Sequence, residues 1–169
     1  GEAATVVRPW TEDARVRALS FTGSTEVGRH LYRQSAGTMK RLVMELGGHA
    51  PALVFADADM DNAVGEVMKA KWATTGQDCL GVNRIYVERQ IYEAFCTAFA
   101  DRVAALKVGN GLETGVEIGP LMHERAVRKS QEHVAGALAK GSRLLAGGKR
   151  HEAGRLFMQP TLLADVPDD

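Results

Sequence analysis

Nothing in the sequence is long and apolar enough to cross a bilayer. The longest apolar runs are broken within about ten residues by Glu, Asp or Lys, against the roughly 20 that a spanning helix needs. No block of like charge occurs either, since 21 Lys and Arg are matched by 21 Asp and Glu. A protein that neutralises many phosphates carries a basic face, so nucleic-acid binding is not expected. Two cysteines are too few for a disulfide framework, and a reducing cytoplasmic setting fits them best. The N-terminus shows no charged-then-apolar leader. Repeats and low-complexity tracts are missing as well. What is present is an ordinary globular composition, 45% hydrophobic and 25% charged over 169 residues, enough for one core. Gly1 to Arg8 begins without a methionine, and Pro160 to Asp169 reads as a strand leading onward, so both ends are expected to be cut ends.

Strand and helix patterns alternate along the chain. Ala18 to Phe21 is a short apolar run that ends at the turn signal Thr22-Gly23. Ser24 to Ala36 has helical spacing at Val27 and Leu31, with Ser24 or Thr25 as N-cap. Arg41 to Leu46 and Pro51 to Phe55 read as strands on either side of Gly47-Gly48. Asp57 to Thr75 is the longest helix expected, with Ala58, Met60, Ala63, Val67, Met68 and Trp72 inward and acidic residues in its first turn. Gly76 breaks it. Asn83 to Val87 is a strand, Gln90 to Leu106 a helix, Glu124 to Lys140 a helix closed by Gly141, and Arg143 to Ala146 a strand. This alternation predicts an α/β fold with a mostly parallel sheet flanked by helices.

Three places can carry chemistry. In Phe21 to Gly28, a glycine turn leads into a helix start, where backbone N–H groups and the Ser24 hydroxyl can face an anion. On spacing alone a plain strand-to-helix connection with a capped helix is the stronger reading, and the G-x-G-x-x-G fingerprint is absent. Glu45 stands in an apolar strand before two glycines. Desolvation there would raise its pKa towards the range of a general base, whereas simple alternation would turn it to water. Cys79 follows the glycine break in Gly76-Gln77-Asp78-Cys79, so its sulfur can project from a loop. Most unpaired cysteines are instead small buried hydrophobes, the reading given to Cys96, which shares a helix face with Tyr92, Phe99 and Val103. Asp78, if its charge faced the sulfur, would disfavour the thiolate. The five histidines show no metal-ligand spacing.

In order, F-T-G-S-T-E-V-G, M-E-L-G-G-H-A-P, G-Q-D-C, N-R-I-Y-V, K-V-G-N-G and I-G-P-L run across nearly the whole chain. This ordered set resembles the aldehyde dehydrogenase superfamily, and within it the succinate-semialdehyde dehydrogenase branch. The resemblance implies that Cys79 is the nucleophile and Glu45 the base that activates the hydrolytic water. It implies that Gly23 and Ser24 hold the cofactor pyrophosphate, that Val27 borders the adenine, and that the backbone of Leu46 and Gly47 borders the nicotinamide of NAD or NADP. Thiolate addition to an aldehyde, hydride transfer and hydrolysis of a thioester would yield the carboxylic acid. It further implies that residues 1–46 end an NAD(P)-binding, Rossmann-like domain and that residues 47–169 are the first and larger part of an incomplete catalytic domain. The parent is expected to be a homo-oligomer acting on a small-molecule aldehyde.

The departures from the family pattern bear on substrate. The branch typically has Arg six residues before the nucleophile, gripping a substrate carboxylate, and here that position is Ala73. Its frequent second cysteine, two residues after the nucleophile, is replaced by Gly81. His49 and Asp78 are unusual at their positions, which keeps open a non-catalytic relative acting as a structural or binding module. A CoA-acylating relative would lack the base at Glu45. The fragment alone is expected to be inactive.

Overall fold

A computed structural model describes residues 1–167, and these divide into two compact units, residues 1–48 and residues 49–167. In the first unit, α1 (Ala3–Glu12) precedes β1 (Ala18–Gly23), α2 (Thr25–Ser35) and β2 (Arg41–Leu46). The two strands pair in parallel, with Phe21 opposite Met44, Thr22 opposite Glu45 and Gly23 opposite Leu46. Exposed and half-buried residues alternate strictly along β2, as Arg-Leu-Val-Met-Glu-Leu predicts for a strand with one covered face. The helix α1 is not signalled by the sequence, which places Pro9 inside it. Its C-terminal end is held from a distance. The buried ammonium of Lys40 donates to the carbonyls of Trp10 at 2.7 Å, Asp13 at 3.0 Å and Val16 at 3.2 Å. A cation suits that end of a helix, and three charge-assisted bonds offset its removal from water.

The second unit contains β3 (Pro51–Val54), α3 (Met60–Trp72), β4 (Arg84–Val87), α4 (Tyr92–Ala104), α5 (Glu124–Ala139), β5 (Arg143–Ala146) and β6 (Leu162–Ala164). Strands β3 and β4 pair in parallel, and β5 and β6 antiparallel. Among the described residues the α/β fold with mostly parallel pairing is thus present as three two-stranded ladders, two of them parallel. Val54, Val64, Val67, Val82, Phe95, Phe99 and Val103 form the core, and the rings of Phe95 and Phe99 stack 5.5 Å apart. Each such side chain contributes about 1.5–3 kcal/mol on burial.

Helix α3 is shorter than its periodicity suggests. Its first-turn N–H of Asn62 is capped by the Asp59 carboxylate at 2.8 Å, which starts the helix two to three residues late and leaves Ala58 exposed outside it. At the other end the helix gives way to a 3-10 turn over Ala73–Gly76. His123 caps α5, its Nδ1 accepting the Ala126 N–H at 3.0 Å. That use of a histidine was not foreseen.

Candidate active site

The first locus is the turn between β1 and α2. Ser24 is the N-cap of α2, its hydroxyl accepting the Val27 N–H at 3.3 Å. A methyl added at Gly23 would come within 2.5 Å of the Phe21 ring tip, so the ring would have to move to admit one. Val27 stands exposed on the first turn of α2. A bare glycine, a capping hydroxyl and the positive end of an eleven-residue helix fit the phosphates of a dinucleotide. Leu46 closes β2 and packs against Gly28 of α2, where a methyl would meet its Cδ2 at 2.8 Å. Gly47 follows directly, and Glu45 lies on the exposed face of β2. Of the two readings open for Glu45, strand alternation is the one found within this chain: the side chain is turned outward and exposed.

The second locus is the loop that follows α3. Thr74 (φ 52°) and Thr75 (φ 58°) both adopt left-handed backbone, and Gly76 continues it at φ 72°. Two consecutive β-branched residues in that region cost about 1–2 kcal/mol each. The segment is tied down by its own side chains. The Thr75 hydroxyl accepts the Gly119 N–H at 3.1 Å, and the Gln77 carbonyl oxygen accepts the Met122 N–H at 2.9 Å. Next, Asp78 closes a turn around the cysteine. Its Oδ1 accepts the Leu80 N–H at 2.8 Å and its main-chain carbonyl the Gly81 N–H at 3.2 Å. The carboxylate is thereby engaged by an amide of its own turn, a use of Asp78 that the sequence did not signal. Cys79 is exposed at the apex.

Cys96 contrasts with it. It lies on α4 and is half-buried, not fully in the core as expected, because its helix face reaches the rim beside Tyr92, Glu93, Arg143 and Asp165. Burial pushes its thiol pKa up. Among the described residues no group of three or more His, Cys, Asp or Glu is placed to hold a metal ion. No helix is long and apolar enough to cross a membrane among these residues.

The sequence model of the aldehyde dehydrogenase family matches residues 1–169. The chain belongs to this family. It is 48% identical over 167 residues to a succinate-semialdehyde dehydrogenase [NADP(+)] of Escherichia coli, covering 99% of this chain and 35% of the relative. It is 51% identical over 166 residues to a non-phosphorylating aspartate-semialdehyde dehydrogenase of Halomonas elongata, covering 98% and 34%. The crystal structure of an E. coli NADP-dependent enzyme superposes with a TM-score of 0.96 at 48% identity, covering 99% of this chain and 35% of that one. The chain thus spans about a third of the length of the curated relatives it matches. The α/β fold of the aldehyde dehydrogenases extends through both units.

Thr75 and Gln77 are the residues that sequence reasoning missed. Gln77 was visible as a letter in G-Q-D-C, yet its partner lies 45 positions away and left no local trace.

Proposed function

We propose that this chain carries the nucleophile and the general base of an enzyme that oxidises an aldehyde to its carboxylic acid with NAD or NADP. The observation that carries the reading is the loop of Cys79: an exposed thiol at the apex of a strained, side-chain-fastened turn, in a chain of this family. Residues 1–46 would end the cofactor-binding domain and residues 47–169 begin the catalytic one. Gly23 and Ser24 would hold the cofactor pyrophosphate, Val27 would border the adenine, and the Leu46-Gly47 backbone the nicotinamide. When bound, the nicotinamide supplies the hydride acceptor.

The chain's own residues do the rest. The Cys79 thiolate adds to the aldehyde carbon, and the backbone N–H of Cys79 helps to hold the oxygen that becomes negative. Once the aldehyde hydrogen has left as hydride, the acyl group remains on Cys79 as a thioester. Glu45 takes a proton from water, whose oxygen attacks that thioester and releases the acid and the thiolate. The exposure of Glu45 within this chain leaves its carboxylate open to water and to whatever else borders the site.

Ala73 is exposed at the start of the 3-10 turn and offers no cation to a substrate carboxylate. A strong preference for succinate semialdehyde over an uncharged aldehyde of similar length is not expected. An unpaired carboxylate forfeits roughly 10²-fold in discrimination.

Brief alkylation of a family-length protein carrying this chain, followed by peptide mass spectrometry, tests the assignment. Iodoacetamide should label Cys79 first. Cys96 should lag, because burial raises its thiol pKa and holds its proton on. Glu45→Gln should keep the initial burst of reduced cofactor and lose steady-state turnover. Labelling of Cys96 ahead of Cys79, or unchanged turnover in Glu45→Gln, would contradict the roles assigned. The 169-residue chain alone should give no sustained turnover above a Cys79→Ala control.

A further inference from the structure

The segment that receives the two bonds from the cysteine loop is itself fixed at several points. Ile118 is 2% exposed, its N–H donates to the Lys107 carbonyl at 3.1 Å, and its carbonyl accepts the Gly109 N–H at 3.0 Å. Leu121 donates to the Leu156 carbonyl at 2.9 Å. Residues 118–122 therefore form a rail held on both sides by backbone bonds. The cysteine loop grips that rail through side-chain oxygens alone, Thr75 on Gly119 and Gln77 on Met122. Gln77 is exposed, so its bond stabilises the fold little; what it does fix is the loop two residues before Cys79.

We propose that Thr75 and Gln77 are positioning residues, which fasten the loop to residues 118–122 and so set where the Cys79 sulfur is presented. The two bonds flank Gly76 and hold the left-handed stretch at the point where the chain turns from α3 towards Cys79. Both side chains act as acceptors for main-chain N–H groups, and this chemistry makes the idea separable from packing. Thr75→Val and Gln77→Leu remove the acceptor at nearly constant size, whereas Thr75→Ser and Gln77→Glu retain an oxygen.

The proposal rests on Cys79 being the nucleophile, and the experiment keeps the two apart. In a family-length protein carrying this chain, Cys79 alkylation rate, kcat and the KM for cofactor are measured for wild type, Gln77→Leu, Thr75→Val/Gln77→Leu, and the two oxygen-retaining variants. Expected is a fall of kcat and of Cys79 labelling in the double variant, on the order of 10²-fold for a misplacement near 1 Å. A smaller fall should appear in Gln77→Leu, the cofactor KM should be unchanged, Thr75→Ser should stay close to wild type, and Gln77→Glu, which keeps the acceptor but adds a charge near the sulfur, should lose less than Gln77→Leu. Should the double variant fail to fold, Gln77→Leu at its exposed position decides. Unchanged kcat and labelling in Gln77→Leu overturn the proposal, as does an equal loss in the oxygen-retaining variants. If wild-type labelling maps to Cys96, or Cys79→Ser still turns over, the nucleophile assignment fails first and takes the proposal with it.

Discussion

Two loops in this chain look alike in sequence, each a glycine at the end of an element followed by polar residues, yet they are built on opposite principles. At the β1–α2 turn, Gly23 has ordinary backbone and its constraint is a neighbouring side chain, since an added methyl would lie 2.5 Å from the Phe21 ring tip and push it aside. At the cysteine loop, Gly76 has space around it, the nearest atoms to an added methyl lying at 3.6 Å, but its φ of 72° is one that other residues resist. The first loop is relaxed and capped by its own serine. The second is strained, with Thr74 and Thr75 also left-handed, and depends on bonds to residues far along the chain. A turn that offers N–H groups to a ligand needs only a regular helix start. A loop with the role proposed for that of Cys79, presenting one sulfur at one place, needs its backbone over-determined.

The largest effect that separates the two loops should come from Gly76→Ala. Forcing Cβ into left-handed backbone next to two left-handed threonines should cost about 1–2 kcal/mol of stability and slow Cys79 alkylation. Denaturant unfolding with a labelling assay reads both. A Gly76→Ala protein as stable and as reactive as wild type would remove strain from the comparison. Gly23→Ala should behave differently. The Phe21 ring tip can swing aside, and alanine favours a strand over glycine, so stability should stay within about 1 kcal/mol. The damage should fall on the KM for cofactor, because the methyl intrudes on the surface proposed for the pyrophosphate. A stability loss matching that of Gly76→Ala would show the two glycines to be equivalent after all.

The difference in construction also explains what could be read from the sequence. Arg41 to Leu46 was legible as a strand, and Ser24 as a cap, because both signals lie within a few residues. The exposure of Cys79 was legible from the helix-breaking glycine before it. The cap of Lys40 on α1 was not, since its acceptors lie 24 to 30 residues away. Nor were the ties of Thr75 and Gln77, across 44 and 45 residues. Alternation of strands and helices announced an α/β fold with mostly parallel pairing, but it carried no information on which strands pair or on the antiparallel β5–β6 ladder. The burial of Cys96 was overestimated for a related reason. Helical periodicity puts it with Phe99 and Val103, whereas the charges of Glu93, Arg143 and Asp165 at that rim come from three different elements or their ends.

Ser24→Ala gives a smaller effect, confined to the relaxed loop. Losing an N-cap costs about 0.5–2 kcal/mol, and the 3.3 Å length of the bond to Val27 places this case at the lower end. Thermal unfolding should show a modest drop in Tm, with Cys79 labelling untouched. Slower labelling of Cys79 in Ser24→Ala would mean that the two loops are not independent.

The smallest expected effect has the opposite sign and tests the strain itself. Thr74 is β-branched and sits at φ 52°, ψ 38°, where asparagine is several-fold better tolerated. What the loop uses of Thr74 is its carbonyl, which accepts the Gln77 N–H at 3.1 Å and survives any substitution that keeps the backbone. Thr74→Asn should therefore stabilise the protein by a few tenths to about 1 kcal/mol, a rise in Tm of roughly 1–4 °C. Cys79 labelling should persist, because Thr75 and Gln77 still hold the rail. The same substitution at the other loop, Ser24→Asn, should be neutral, since asparagine caps a helix about as well as serine. A calorimetric comparison of the two variants isolates backbone strain from every side-chain bond discussed above. If Thr74→Asn lowers Tm, the threonine makes a contribution of its own that exceeds the cost of its conformation, and the cysteine loop is held by three side chains rather than two.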